Sequence, residues 1–263
     1  MGGRPLTLDQ AVELSRTGDV WIFRGRSPAD RAIQMTTNSP VNHVGMAVVL
    51  DDLPPLMWHA ELGRSLRDVW SGSHHRGVQL HDLREAVVVW GARYGQRAWL
   101  RQLEPTAGRE AEEAVLRTVA RLDGTPFPST ARLATRWLGG RLPAPRTFRR
   151  RRARTGPDST PAAGPEPAAG PEPAAGPEPA AGPEPAAGPE SGAGVETGGG
   201  LESAYCAEVV ALTYEAMGLL EPGRRLNWYD PGRFWSGDDL RLAGGHRLGV
   251  EIAVELPAPP SRG

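Results

Sequence analysis

From Pro161 to Glu190 the chain repeats Pro-Ala-Ala-Gly-Pro-Glu five times without a break. The segment has no large apolar residue, so it buries nothing that would offset the entropy of ordering it. Its prolines favour an extended, semi-rigid polyproline II path. Six small or polar residues per unit are too few and too polar to stack into a solenoid. The segment therefore reads as a linker, preceded by the arginines Arg149–Arg152 and Arg154 and continued by the glycine-rich Ser191–Gly200. The roughly 60 residues that follow lie near the lower limit for independent folding. They carry one helical segment and one clear strand. The sequence thus favours one discontinuous domain, residues 1–150 and 201–258, with residues 151–200 as a disordered repeat linker. Closing a loop of about 50 residues costs about 3–4 kcal/mol of chain entropy, which a domain core absorbs.

Charge and composition remove several classes of function. A formal net charge of −1 exerts no global pull toward nucleic acid or acidic membranes, and no nucleic-acid partner is expected. The arginine cluster reads as the flank of a soluble tether. A single cysteine excludes an intramolecular disulfide. No apolar run approaches the roughly 18 residues of a membrane span. Met1–Gln10 lacks the apolar stretch of a signal peptide, and Leu6 stands where a myristoylation signal needs Ser or Thr. The expected address is the cytoplasm. No P-loop or glycine-rich dinucleotide fingerprint is present.

The periodicities point to an α+β fold, a small antiparallel sheet against helices. Thr7 caps a short helix to about Thr17, and Val20–Phe23 reads as a strand. Ser27 caps a helix with Pro28 at its first position. His43–Leu50 and Leu56–Leu62 read as an antiparallel hairpin around Asp51–Pro55. Gly77–Leu80 and the valine-rich Ala86–Trp90 read as further strands. Arg109–Leu122 is an amphipathic helix with Ala111, Val115, Leu116, Val119 and Leu122 on one side. A helix carrying Cys206 ends at Gly218, and Val250–Glu255 reads as the last strand.

Two parts of that chain carry chemistry. Cys206 follows Ser203, a good N-cap, which places the thiol in the first turn of its helix. Free amides and the helix dipole there favour a thiolate, and the Cys206 amide is available to hold an oxyanion. His43 opens a strand, with Gly45 on the same face leaving room for substrate or for the cysteine helix. A tight turn at Asp51 sets His59 opposite His43; a looser turn that absorbs Pro54 and Pro55 brings Glu61 closer instead. Both are candidates to orient His43, with His59 favoured. His74, His75 and His81 lack companion cysteines or clustered carboxylates and read as a solvated loop, not a metal site. Trp228, Tyr229 and Trp235 either line a cleft or cover the core.

Asn42-His43-Val44-Gly45-Met46-Ala47-Val48-Val49, Trp58-His59-Ala60, Gly77-Val78-Gln79-Leu80 and Tyr205-Cys206-Ala207-Glu208-Val209-Val210 together resemble the permuted papain-like YiiX/YaeF family of the NlpC/P60 superfamily. In that family the histidine strands precede the cysteine helix. Gly18–Ile22 is similar to its first strand, and the likeness covers roughly residues 15–125 and 200–236. The resemblance implies a cysteine hydrolase or acyltransferase, with Cys206 as nucleophile, His43 as general base and His59 as polar third member. Glu61 remains the alternative for that third place. It also implies an amide or acyl-ester substrate, from a small molecule, a peptide or a lipid. No cofactor is needed for such chemistry. Two other functions fit the same residues: a non-catalytic binding or scaffold module that keeps the fold, and a lipid acyltransferase or phospholipase.

Overall fold

The computed structural model describes residues 4–61, 63–124 and 199–257. The repeat and its arginine flank lie outside the described residues. Elements on both sides of the repeat share one mixed α/β arrangement. The strands are β1 (Leu6–Thr7), β2 (Val20–Arg24), β3 (His43–Val48), β4 (Leu56–Glu61), β5 (Gly77–Asp82), β6 (Arg97–Arg101), β7 (Leu103–Glu104), β8 (Arg247–Leu248) and β9 (Ile252–Glu255). The helices are α1 (Leu8–Glu13), α2 (Pro28–Thr37), α3 (Leu83–Tyr94), α4 (Arg109–Leu122) and α5 (Gly199–Ala216). Seven strands form one sheet in the order β1-β9-β6-β2-β3-β4-β5. All its pairs are antiparallel except β1 with β9. Strand β9, which follows the repeat, pairs with β6, which precedes it.

Strand alternation divides the core into two layers. Val20, Ile22, Val44, Met46, Trp58 and Leu80 turn to one face and meet apolar residues of α4 and α5. Trp21, Phe23, Ala47, Met57 and Leu100 turn to the other and meet α1 and α3. Both faces are covered, so the central strands are apolar at nearly every position. Helix α5 lies across β3 and β4. The Trp58 indole donates to Thr213 Oγ1 at 3.0 Å, and the Tyr214 hydroxyl donates to the Gly18 carbonyl at 2.5 Å.

Capping chemistry sets several boundaries as expected. Thr7 and Ser27 each close a capping box, with Gln10 and Asp30 respectively. Helix α1 stops at Glu13, short of the expected Thr17. Helix α4 runs from Arg109 to Leu122, but Leu116 is exposed while Ala114 and Thr118 join Val115 and Val119 in the buried face. The aromatic stretch after α5 forms two 3₁₀ turns, Leu226–Trp228 and Pro231–Phe234.

Two readings are corrected. Ala86–Trp90, expected as a strand, lies within helix α3. The Asp82 carboxylate caps it by accepting from the Glu85 N–H, and Gly95 ends it at φ 64°. Leu83, Ala86, Val87 and Trp90 fall at helical spacing and are the buried side chains; the valine run alone suggested β structure. Helix α5 begins at Gly199, so Cys206 lies in its third turn and Ser203 is not its N-cap. Strand β6, a central strand, was not anticipated.

Candidate functional site

Asn42 fixes the approach to β3. Its side-chain oxygen accepts from the Gly25 N–H at 2.6 Å, and its amide donates to Asp30 at 2.8 Å and Gln96 at 3.3 Å. The next residue, His43, pairs with Phe23 across β2. Its ring lies 5.7 Å from that of Phe23, 5.0 Å from Trp90 and 5.4 Å from His59, all on the α3 side of the sheet. Among the described residues its buried Nε2 has no partner.

The β3–β4 register follows the looser turn. Met46 faces Trp58 and Ala47 faces Met57. Continued along the strands, that register sets Gly45 opposite His59 and Glu61 opposite His43. The expected direct pairing of His43 with His59 is therefore corrected: the two rings meet diagonally, over Gly45. A Cβ at Gly45 would stand 2.4 Å from Met57 Sδ and 3.4 Å from His59 Cβ, so the missing side chain makes room for this contact.

Cys206 comes from the other side. Helix α5 brings its sulfur against the backbone N–H of Val44, the residue after His43. The thiol is fully buried among the apolar residues of the α5 layer. Burial pushes its pKa up to about 12, against the lowering effect of hydrogen bonds from the Val44, Ala207 and Cys206 amides. Residues 43 and 44 of a strand point to opposite faces, so the thiol reaches the His43–Val44 peptide while the imidazole packs against Trp90.

Around His59 the structure gathers polar groups that the sequence reading dispersed. Strand β5 extends through His81, which is 1% exposed, so the solvated-loop reading fails for that residue. His74 is exposed and His75 half-buried. His59 Nε2 and His81 Nδ1 are 2.8 Å apart, and His81 Nε2 is 3.2 Å from Gln79 Oε1. Glu61 accepts from the Trp90 indole at 3.1 Å and from Ser65 at 3.3 Å. Burial, then the charge of His81, lowers the His43 pKa to about 4. Burial also holds His59 well below its ordinary range and takes His81 to about 4, while it raises Glu61 to about 7. Burial thus favours the neutral imidazole at each of the three histidines. The signal for this cluster was strand parity: Gln79 and His81 lie two apart on β5, and β5 pairs with β4 so that His59 faces Gln79 and Met57 faces His81.

The aromatic residues after α5 divide between roles. Tyr229 and Phe234 are buried in the core, whereas the Trp228 ring packs against the guanidinium groups of Arg224 at 4.1 Å and Arg233 at 3.8 Å. Trp228 and Tyr229 also line a cavity of about 660 Å³ together with Leu220, Arg224 and Leu240.

Among the described residues, no helix is long and apolar enough to cross a membrane. No family model and no curated protein matches the chain. A solved structure, that of metalloprotein yiiX from Escherichia coli O157:H7, is similar at 22% identity and a TM-score of 0.33. The alignment covers 44% of this chain and 54% of that one, so the chain spans about half the length of this relative.

Proposed function

We propose that the protein is a cysteine hydrolase or acyltransferase acting on an amide or acyl ester. Cys206 is the nucleophile, His43 the general base, and His59 the polar third member, with Glu61 as its alternative. One observation carries this reading. Helix α5 brings Cys206 from beyond the repeat onto the His43–Val44 peptide. In the reaction His43 takes the thiol proton and the thiolate attacks the substrate carbonyl. Backbone amides near the sulfur hold the oxyanion. The leaving group takes the proton from His43, and water or another acceptor resolves the thioester.

The packing sets a definite requirement. The thiol is sealed and protonated, and His43 sits on the opposite face, so turnover needs an open state. That state must expose the thiol and bring the His43 imidazole to it from its packing against Phe23 and Trp90. The test is to incubate the full chain with activated acyl esters and short amides and search for a thioester on Cys206 by mass spectrometry. The adduct should form in the parent protein and vanish in Cys206→Ala and His43→Ala. No adduct across the panel, or turnover that survives unchanged in both variants, would sink the cysteine-hydrolase reading. A second reading, a non-catalytic binding module that keeps the fold, is favoured by the full burial of Cys206. It expects no adduct and a stable Cys206→Ala variant.

A further inference from the structure

His59, Glu61 and His81 each offer a ligand atom, and these atoms all lie within 4.8 Å of one another on β4 and β5. We infer that the three side chains hold a divalent transition ion of the zinc type, which takes the place of the proton shared between His59 and His81. Two imidazoles and one carboxylate form the mixed nitrogen and oxygen set that such borderline ions prefer, and three protein ligands leave a fourth position open.

The hydrogen bonds show how the site is prepared. The Gln79 amide nitrogen lies 3.3 Å from the carbonyls of both Glu61 and Gly77, which fixes it as the donor end. Gln79 Oε1 is then an acceptor, so His81 carries its proton on Nε2 and leaves Nδ1 bare. His59 Nε2 must donate to that bare nitrogen, which leaves His59 Nδ1 as a buried lone pair with no partner among the described residues. Metal-binding histidines commonly donate their second N–H to an outer acceptor that fixes the ring; the Gln79–His81 bond has that form. Trp90 and Ser65 hold the Glu61 carboxylate in the same way.

The geometry needs little change. Two nitrogens at about 2.0–2.1 Å from a tetrahedral ion stand about 3.3 Å apart, so the rings part by roughly half an ångström from their 2.8 Å contact. The His59 proton passes from Nε2 to Nδ1, leaving Nε2 to the ion; the new Nδ1–H has no acceptor among the described residues, a cost the metal bond must exceed. Glu61 binds as the carboxylate and is the half-buried member of the three.

This site uses neither the thiol nor His43, and metal content is measured without substrate. Its failure is therefore separable from failure of the cysteine reading. It shares His59 and Glu61 with the proposed catalytic set: the ion-loaded chain commits them to the metal, and the ion-free chain is the form in which they orient His43. The test is to load the full-length protein with excess Zn²⁺, remove free ion, and measure bound metal by mass spectrometry. Co²⁺ loading gives a parallel readout through its tetrahedral absorption bands. The expected result is one ion per chain, with affinity reduced at least about 100-fold in His81→Asn and Glu61→Gln and by about 10–100-fold in Gln79→Met. Circular dichroism confirms that each variant is folded. Should a ligand variant not fold, Gln79→Met and the Co²⁺ spectrum of the parent protein decide the matter. Less than about a tenth of an ion per chain, or a Co²⁺ spectrum without tetrahedral bands, overturns the proposal. Undiminished binding in the folded variants does so too, because it places the ion elsewhere.

Discussion

Arg101 offers the sharpest test of whether the segments flanking the repeat fold as one domain. It projects from β6 and is 7% exposed. Its Nε donates to the Gly249 carbonyl at 2.8 Å, Nη1 to Phe234 at 2.7 Å and Nη2 to Leu248 at 2.9 Å. All three acceptors follow the repeat in sequence. Arg101→Met keeps the apolar stem but leaves three carbonyls without their donor. A buried unsatisfied group costs about 1–3 kcal/mol. Partial rehydration near the sheet end favours the lower part of that range, so the sum is about 3–5 kcal/mol. This is a large fraction of a stability of about 5–15 kcal/mol. Urea unfolding followed by tryptophan fluorescence measures it, with Arg247→Ala as control. Arg247 is 77% exposed in its pair with Glu104, and its loss should cost under about 1 kcal/mol. In a companion experiment, a protease that cuts within the repeat should leave the parent halves co-eluting on size exclusion. The Arg101→Met halves should separate at lower urea. A loss below about 1 kcal/mol, or an unfolding slope near half the parent value, would refute the claim that the two segments form one cooperative unit.

Three further outcomes follow from the same structure. Deleting residues 161–190 shortens a loop of about 50 residues to about 20 and should raise stability by about 0.8 kcal/mol, with an unchanged circular dichroism spectrum; a collapse of stability would show that the repeat contributes contacts. Gly45→Ala drives a Cβ to 2.4 Å from the buried Met57 sulfur, and its urea midpoint should drop by the equivalent of about 1–3 kcal/mol. At pH 8 iodoacetamide should label resting Cys206 about 10³-fold more slowly than a thiol at the ordinary value of 9.0, because burial raises the pKa to about 12. The rate should climb about tenfold per pH unit from 7 to 9 with no plateau. The folded-state thiol pKa lies above the unfolded one, so its contribution to stability is complete below about pH 9 and is lost as pH rises toward 12.

Elements with local punctuation were legible in the sequence. Thr7 and Ser27 announce their helices through side chains that reach only three residues along the chain. Helix α4 shows its apolar side at a helical period without help from elsewhere. Where tertiary packing decides, the sequence misleads. Val87, Val88 and Val89 favour a strand, yet Asp82 and Gly95 frame a helix whose buried side is Leu83, Ala86, Val87 and Trp90. Strand β6 carries no such signal: Arg97 and Arg101 bracket only three apolar residues. Arg101 is buried only because three carbonyls from beyond the repeat receive it.

The candidate site divides along the same line. Moving the β3–β4 register by two residues keeps every side chain on its own face. His43, His59 and Glu61 therefore share a face whether the turn is tight or loose, and their grouping was legible before their partners were. Strand β5 adds His81 to that face through the same parity. The face on which the cysteine helix lies was not legible. A sheet covered on one side would mark its buried face by apolar alternation, but here Val44, Met46 and Trp58 are as apolar as Ala47 and Met57 across the sheet. Helix α5 gives no phase either, since Cys206, Ala207, Val209, Val210, Ala211 and Tyr214 are all buried. With both partners apolar all round, the sequence names a thiol and an imidazole in the right order but not the side from which each arrives. That is why thioester trapping on Cys206 and metal loading at His59, Glu61 and His81 report on side chains from opposite faces of one sheet, with His43, beside His59, on the metal face.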